Sequence, residues 1–375
     1  MDKKERKSLL ANPGVQALIA SLVCILLGLL VGYIALLIIN PAGAGEAIIN
    51  VVKNFWTYSR QNLQLKNFGN TLVKTVPLLM CALSVLFAYK VGLFNIGAAG
   101  QYVAGIGASL YCALGLGMPW PVCMLAAIFF GALFGAISGA LKAYCNVNEV
   151  ISCIMLNWIG LYLVNMLLAT VKESTSPYTL RISDVNPGAL LPTLGMGAWF
   201  GKNTYVGISL PLALLIAVGI WVLLEKTKLG YELKATGLNK NASKYAGMAE
   251  KRNIILTMAI SGGLAGMAAG MFYLTGFEQW STTSASVPGM GFNGIAAAFL
   301  GGLNPIGTIF ASYFIQHITN GGAYVDLTKY SSQISDLISS VIIYLCAFVL
   351  FFKQVLAKWA ARKPEVAASK EGGKH

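Results

Sequence analysis

Residues 15–39 run for 25 positions without one charged side chain. A bilayer core takes roughly 20 apolar residues per helix, and only a helix or a closed barrel satisfies its own backbone there. The pattern recurs down the chain. Membrane spans are expected over about 15–39, 70–89, 95–115, 120–142, 149–170, 206–224, 253–275 and 335–352. Between the last two lie two shorter Gly-rich pieces, 291–303 and 305–319, broken by Gly301, Gly302 and Pro305. They fit a re-entrant pair or two short helices. The expected fold class is all-α: a polytopic transmembrane helical bundle of about eight full spans plus this broken pair.

Composition agrees. The chain is 56% hydrophobic and 11% charged, whereas a soluble domain carries about 25% charged residues. The expected organisation is a tail over 1–14, a transmembrane domain over 15–352 and a second tail over 353–375. The first apolar stretch is too long for a signal peptide, and no small-residue cleavage site closes it, so it reads as a retained helix.

The net charge of +13 invites a nucleic-acid reading, but its distribution argues for membrane orientation instead. With both termini cytoplasmic, four basic residues of the N-tail, Lys90, Lys142, seven in the 225–252 loop and six in the C-tail fall inside. Seven fall outside, and Lys74 lies within a span near its outer end. That is the positive-inside asymmetry. No nucleic-acid partner is expected. The seven cysteines form no CxxC pair, and His317 and His375 are the only histidines. A metal site and histidine-based catalysis are therefore not expected.

Two outer loops are long. Residues 40–69 are expected to hold a short amphipathic helix around Phe55, Trp56 and Tyr58. Residues 171–205, with Pro177, Pro187 and Pro192, are expected to lack regular structure. The large inner loop, 225–252, reads as two short helices. Tyr231–Thr236 forms the first, with Gly237 as its terminator. Asn239 caps the second, over Lys240–Ala246, and Gly247 ends it. This is more order than a connector needs.

Candidate functional groups are uncharged. Gly131, Gly135 and Gly139 form a small-residue ridge of the kind that lets helices approach closely. Asn95 and Gln101 lie in the third span. Asn157 and Asn165, eight positions apart, share a face of the fifth. Asn293 and Asn304 flank the broken pair. Intramembrane amides either hold helices together or face a wet pathway, and with the aromatic residues Phe94, Trp158 and Phe292 they suit a neutral, hydrogen-bonding substrate. A faint internal echo, Gly92-Leu-Phe-Asn-Ile-Gly97 against Gly291-Phe-Asn-Gly-Ile-Ala296, places broken segments in both halves, a pointer to a transport route. No ionisable group sits in mid-membrane to couple protons or sodium. No GxxxxGK[ST] phosphate loop is present either. A transporter of this kind draws energy from another subunit, and the ordered inner loop is where that subunit docks.

At these residues a family resemblance enters. Gly92-Leu-Phe-Asn-Ile-Gly-Ala-Ala-Gly-Gln101 resembles the signature of ABC-transporter permeases that import simple sugars, branched-chain amino acids and nucleosides. Leu229–Met248 resembles their cytoplasmic coupling loop, and Leu300-Gly-Gly-Leu-Asn-Pro-Ile-Gly307 their second-half signature. Val147-Asn-Glu-Val-Ile151, Met155-Leu-Asn-Trp158 and the outer loop ending at Leu191-Pro192 are most similar to the nucleoside permeases served by a BMP-type lipoprotein. Ala98-Ala99 departs from the Ala-Glu of those members. The resemblance implies a non-enzymatic permease subunit, multi-pass in the bacterial cytoplasmic membrane, that imports nucleosides; a monosaccharide or a branched-chain amino acid is the alternative. It implies a second, non-identical permease, two cytoplasmic ATPases that bind ATP and Mg²⁺ in place of any cofactor on this chain, and an extracellular lipoprotein. The substrate pathway is then expected at Phe94, Asn95, Gln101, Asn157, Trp158, Asn165, Phe292 and Asn293. ATPase coupling is expected at Tyr231, Glu232, Lys234, Gly237, Asn239, Tyr245 and Gly247.

Overall fold

The computed structural model describes residues 13–355 apart from 327, 332, 347, 349, 350 and 353. Most of both expected tails lies outside the described residues. The helices are α1 (Pro13–Ile39), α2 (Ala44–Lys53), α3 (Gln61–Lys90), α4 (Ala98–Leu114), α5 (Trp120–Cys145), α6 (Glu149–Leu168), α7 (Ile182–Val185), α8 (Ser209–Lys226), α9 (Lys228–Leu238), α10 (Lys240–Tyr245), α11 (Glu250–Tyr273), α12 (Gly289–Leu300), α13 (Pro305–Asn320) and α14 (Ile334–Cys346). Among the described residues β-structure is limited to two isolated bridges, Lys172–Thr179 and Tyr178–Ser281. The chain is an all-α polytopic membrane bundle. Among the described residues six helices, α1, α3, α5, α6, α8 and α11, are long and apolar enough to cross a bilayer.

The bundle is organised around α3 and α11. The most apolar window of α3 is 89% buried and that of α11 72%, against 22% for α1. The outer helices turn apolar side chains outward instead: Leu26, Phe129, Met166 and Leu215 are all more than half exposed, as a lipid-facing surface requires. The glycine ridge of α5 packs into α11. A Cβ at Gly131 would meet the Gly262 carbonyl, and one at Gly139 would stand 3.0 Å from the Ile255 Cα. With the lipid tails as apolar as the helices, close backbone contact of this kind drives association.

Helix ends follow local chemistry. Asn148 Oδ1 accepts from the Val150 N–H at 2.8 Å to cap α6, and Asn304 Oδ1 accepts from Ile306 at 2.9 Å to cap α13. The short amphipathic helix of the first outer loop forms over α2, ahead of Phe55, Trp56 and Tyr58. Asn54, at φ 52°, breaks it, and its side chain donates to the His317 carbonyl at 2.6 Å. Glu46 in the first turn and Lys53 in the last suit the dipole of a helix at that earlier place. Besides the Lys172–Thr179 bridge, the second outer loop holds α7 and short 3₁₀ turns, close to the irregular segment expected.

The broken pair resolves into two helices of unequal reach. α13 runs along α3 from Thr71 toward its end: Asn320 Nδ2 donates to Thr71 Oγ1 at 3.2 Å, and Pro305 shares a surface cavity with Lys90. α12 covers only half of α3. Gly294 packs on Cys81, with a Cβ there 2.9 Å from the Cys81 backbone, and Phe299 meets Tyr89 at 5.1 Å between ring centres. Cys81 lies nine residues from Lys90, roughly 14 Å at ~1.5 Å per residue, so Gly294 sits about halfway through a ~30 Å core, and α12, 12 residues long, is too short to cross it. Gly302 at φ 66° and Leu303 at φ 55° make the turn between the two helices.

Candidate functional site

The chain also breaks after α3. Gly92 adopts φ 76°, and residues 93–97 fold back along the end of α3 before α4 begins. The Leu93 N–H bonds the Ala88 carbonyl at 3.0 Å. Asn95 reaches one turn deeper and is fully buried. The two hydrogens of its Nδ2 are shared among Ser84 Oγ at 3.1 Å, Ser261 Oγ at 2.6 Å and Gln101 Oε1 at 2.7 Å. Its Oδ1 accepts from the Gly97 N–H at 3.1 Å and from Gln101 Nε2 at 3.1 Å. Ser261 Oγ also donates to the Ser84 carbonyl at 2.7 Å. One amide thus ties α3, α4 and α11 together about 9 Å in from the end of α3, with its hydrogen-bonding capacity used, as burial demands.

Asn157 extends this knot to α6. Its Oδ1 accepts from the Gly100 N–H at 2.8 Å, and its Nδ2 donates to the Ile96 carbonyl at 3.2 Å. The first turn of α12 abuts the first turn of α4: a Cβ at Gly291 would stand 2.7 Å from the Ala99 Cβ. The two echoed segments therefore meet where both helices start. Phe94 and Asn293 are half-buried there and Phe292 is exposed. Asn293 makes no side-chain hydrogen bond among the described residues. The other two sequence-selected residues lie apart. Asn165 accepts from Trp280 Nε1 at 2.9 Å and donates to the Ser284 carbonyl at 2.8 Å, fastening α6 to the loop before α12. Trp158 is 44% exposed on the bundle surface, stacked beside Tyr162 at 6.4 Å.

The 225–252 loop forms two helices. Thr227 caps α9, its Oγ1 accepting from the Gly230 N–H at 3.1 Å, and Asn239 caps α10, its Oδ1 accepting from the Ala242 N–H at 3.0 Å. Gly247, at φ 80°, ends α10. Gly237 is not the terminator of the first helix, which continues through it to Leu238. The glycine meets a different need. Its backbone lies against Val91 and Gly92, where any Cβ would overlap the Val91 carbonyl, and a Cβ at Gly92 would stand 2.8 Å from the Gly237 carbonyl oxygen. α9 is fastened on its other sides too. Leu233 and Thr236 are buried, and Asn253 Nδ2 at the start of α11 donates to Thr236 Oγ1 at 2.9 Å. Glu232 lies 3.7 Å from Arg252 and 3.8 Å from Lys228, while Lys234 lies 3.2 Å from Glu225.

α9 is thus clamped to the ends of α3, α8 and α11, and through the Gly92 turn it leads directly into the Asn95 knot. On the free side of the platform Tyr231 and Leu238 of α9 and Tyr245 of α10 are 65%, 88% and 94% exposed. Leu238 did not stand out in the sequence; an apolar residue closing a charged helix is the signal that marks it. Exposed aromatic and aliphatic side chains on a rigid, charge-rimmed platform have the composition of an interface centre.

Comparison with known proteins matches this arrangement to transport proteins. Residues 67–347 match the family described as branched-chain amino acid transport system / permease component. The nucleoside ABC transporter permease protein NupB of Lactococcus lactis subsp. cremoris is 32% identical over 97% of this chain and 100% of its own length. The guanosine ABC transporter permease protein NupP of Bacillus subtilis is 31% identical over 91% of this chain and 96% of its own. The glucose ABC transporter permease protein TsgB13 of Haloferax volcanii is 30% identical over 76% and 78%. The family match takes in the Gly92 turn, the Asn95 knot, the α9–α10 platform and the α12–α13 pair, and the chain belongs to this family of permease components.

Proposed function

We propose that the chain is the transmembrane permease subunit of an ATP-driven ABC importer that takes up nucleosides. The observation that carries the transport reading is the seat of Gly237 on Gly92. A platform displacement is passed, backbone to backbone, into the segment that holds Asn95 and starts α4. A partner whose states bind the platform with different affinity can bias two arrangements of the bundle by that difference. Two cytoplasmic ATPases are the fitting partners, with Tyr231, Leu238 and Tyr245 at the centre of the contact and Glu232, Lys234 and Asn239 around it. ATP and Mg²⁺ belong to those subunits. Gly237 and Gly247 shape the platform.

The nucleoside assignment draws on the relatives named for nucleoside and guanosine, which align over nearly the whole chain. A glucose permease relative keeps a monosaccharide as the second reading. Within the bundle, Phe94, Phe292 and Asn293 are the pathway side chains, exposed or half-exposed beside the two helix starts. Asn95, Gln101 and Asn157 stand behind them and hold the break in shape. A second, non-identical permease completes the pathway, and an extracellular lipoprotein delivers substrate on the face opposite the platform, in the bacterial cytoplasmic membrane. The test is uptake in a strain lacking the gene, with labelled purine and pyrimidine nucleosides, glucose, ribose and leucine. Selective loss of nucleoside uptake, restored by the gene, is expected. Loss confined to a sugar or leucine would overturn the substrate class.

A further inference from the structure

On the face opposite the platform, a cavity of about 430 Å³ opens between the 171–205 loop and the residues following α11. Its lining includes Thr179, Arg181, Tyr205, Phe277, Glu278 and Gln279. The volume is within the roughly 300–1,000 Å³ range of small-molecule sites.

The walls are built rather than draped. Thr179 and Trp280 exchange bonds: the Thr179 N–H donates to the Trp280 carbonyl at 2.9 Å, and the Trp280 N–H donates to Thr179 Oγ1 at 3.2 Å. Gln279 Nε2 donates to the Thr179 carbonyl at 2.6 Å and to Glu173 Oε1 at 2.8 Å. Ser176 also donates to Glu173, and these hydrogen bonds hold the Glu173 carboxyl below the usual carboxylate range. Tyr205 is set by its own N–H, which donates to Asn203 Oδ1 at 2.9 Å, while Asn203 Nδ2 donates to the Lys66 carbonyl at 2.9 Å. Gly276, at φ 71°, turns the chain so that Phe277 comes edge to face with Tyr205 at 5.1 Å.

Against this fixed frame stand two charged side chains held in no close ion pair: Arg181, whose charge helps to lower the Glu173 carboxyl, and Glu278, whose carboxyl feels Lys74. Among the described residues neither Arg181 nor Glu278 has an ion pair within 4.0 Å or a side-chain hydrogen bond. Lys74, the nearest other cation, lies over the Phe277 ring at 5.5 Å. Glu278 stays open to solvent, yet the protein mass around it raises its carboxyl above the usual range, with Lys74 offsetting part of the rise. A donating cation and an accepting carboxylate on one cavity, next to the Tyr205–Phe277 ring pair, fit a ligand that is aromatic at one end and hydroxylated at the other. A monosaccharide has the hydroxyls and no aromatic face. A branched-chain amino acid has neither.

We propose that this cavity is an outer-face binding site for a nucleoside, with the base against the Tyr205–Phe277 pair, Arg181 donating to base acceptors and Glu278 accepting from sugar hydroxyls. The proposal rests on the nucleoside reading above and adds a site to it. The experiment is photolabelling of the assembled transporter with tritiated 8-azidoadenosine, followed by peptide mapping of this chain. The expected result is label within 179–183, 204–205 or 275–279 that excess adenosine competes and ribose or leucine does not. With a charge-assisted bond lost in each, Glu278→Gln and Arg181→Ala should each cut competed label about ten-fold or more at unchanged membrane abundance. Label elsewhere, label that ribose competes equally, or competed label that both variants leave intact overturns the site. Adenosine uptake by the wild type separates the two levels. No nucleoside uptake overturns the underlying reading and the ligand class with it; uptake without competed label in the cavity overturns the site alone.

Discussion

Gly237 of α9 lies backbone to backbone on Gly92, the residue that turns the chain from the end of α3 toward Asn95. Neither position has room for a side chain: a Cβ at Gly92 would stand 2.8 Å from the Gly237 carbonyl oxygen. Gly92 carries a second constraint, since φ 76° is a left-handed conformation that costs other residues about 1 kcal/mol or more.

Gly237→Ala should therefore lift the platform from its seat. Overpacking of this kind costs about 1–3 kcal/mol, enough to lower nucleoside uptake roughly ten-fold or more. ATP hydrolysis by the assembled transporter should persist, because the ATPase-facing side of α9 is untouched. Comparing uptake with hydrolysis at matched membrane abundance checks this; parallel loss of both would mean the seat supports assembly rather than coupling.

Tyr231→Ala, Leu238→Ala and Tyr245→Ala remove exposed side chains and should leave abundance and thermal stability unchanged. If they centre the interface, truncation costs about 1–2 kcal/mol or more each. Co-purification of the ATPases is the measurement. Undiminished recovery with all three replaced together would place the interface elsewhere.

Asn157→Leu leaves the Gly100 N–H and the Ile96 carbonyl without partners, at about 1–3 kcal/mol. Abundance should fall in step with uptake. Asn293→Leu removes no hydrogen bond seen among the described residues and should lower uptake alone. Quantifying both proteins in membranes beside uptake distinguishes the two amides.

Gly135→Val forces a branched side chain into the Met258 carbonyl, where even a Cβ overlaps. The α5–α11 contact is central to the bundle, so the folded fraction extracted in mild detergent should drop sharply, while Gly219→Val on α8, where a Cβ meets open space, should behave as wild type. Equal recovery of the two variants would show that the ridge is not a packing determinant.

What was legible in the sequence follows the range of the forces involved. Six of the eight expected spans, the α5 glycine ridge and the Asn239 cap are written locally, in hydrophobic run length, residue size and the reach of one side chain, and form where their residues stand; the 95–115 and 335–352 segments give helices of 17 and 13 residues, part of the latter segment lying outside the described residues. Gly237 has the sequence appearance of a helix terminator; its need for a missing side chain comes from Val91 and Gly92, some 145 positions away in the chain. Asn95 and Asn157 are visibly polar residues in apolar surroundings, but partners 166 and 57 positions distant decide that they tie helices together. The outer cavity escaped sequence reading because its lining comes from several separated stretches whose convergence no local pattern encodes.

The central claim is tested most directly by reconstituting the permease with its paired permease, ATPases and lipoprotein in proteoliposomes and following labelled guanosine and adenosine with and without ATP. Accumulation that requires ATP, is lowered roughly ten-fold or more by Gly237→Ala and is not competed by glucose or leucine is the predicted result. Accumulation without ATP, or ATP-driven accumulation of glucose or leucine with nucleosides excluded, would contradict it.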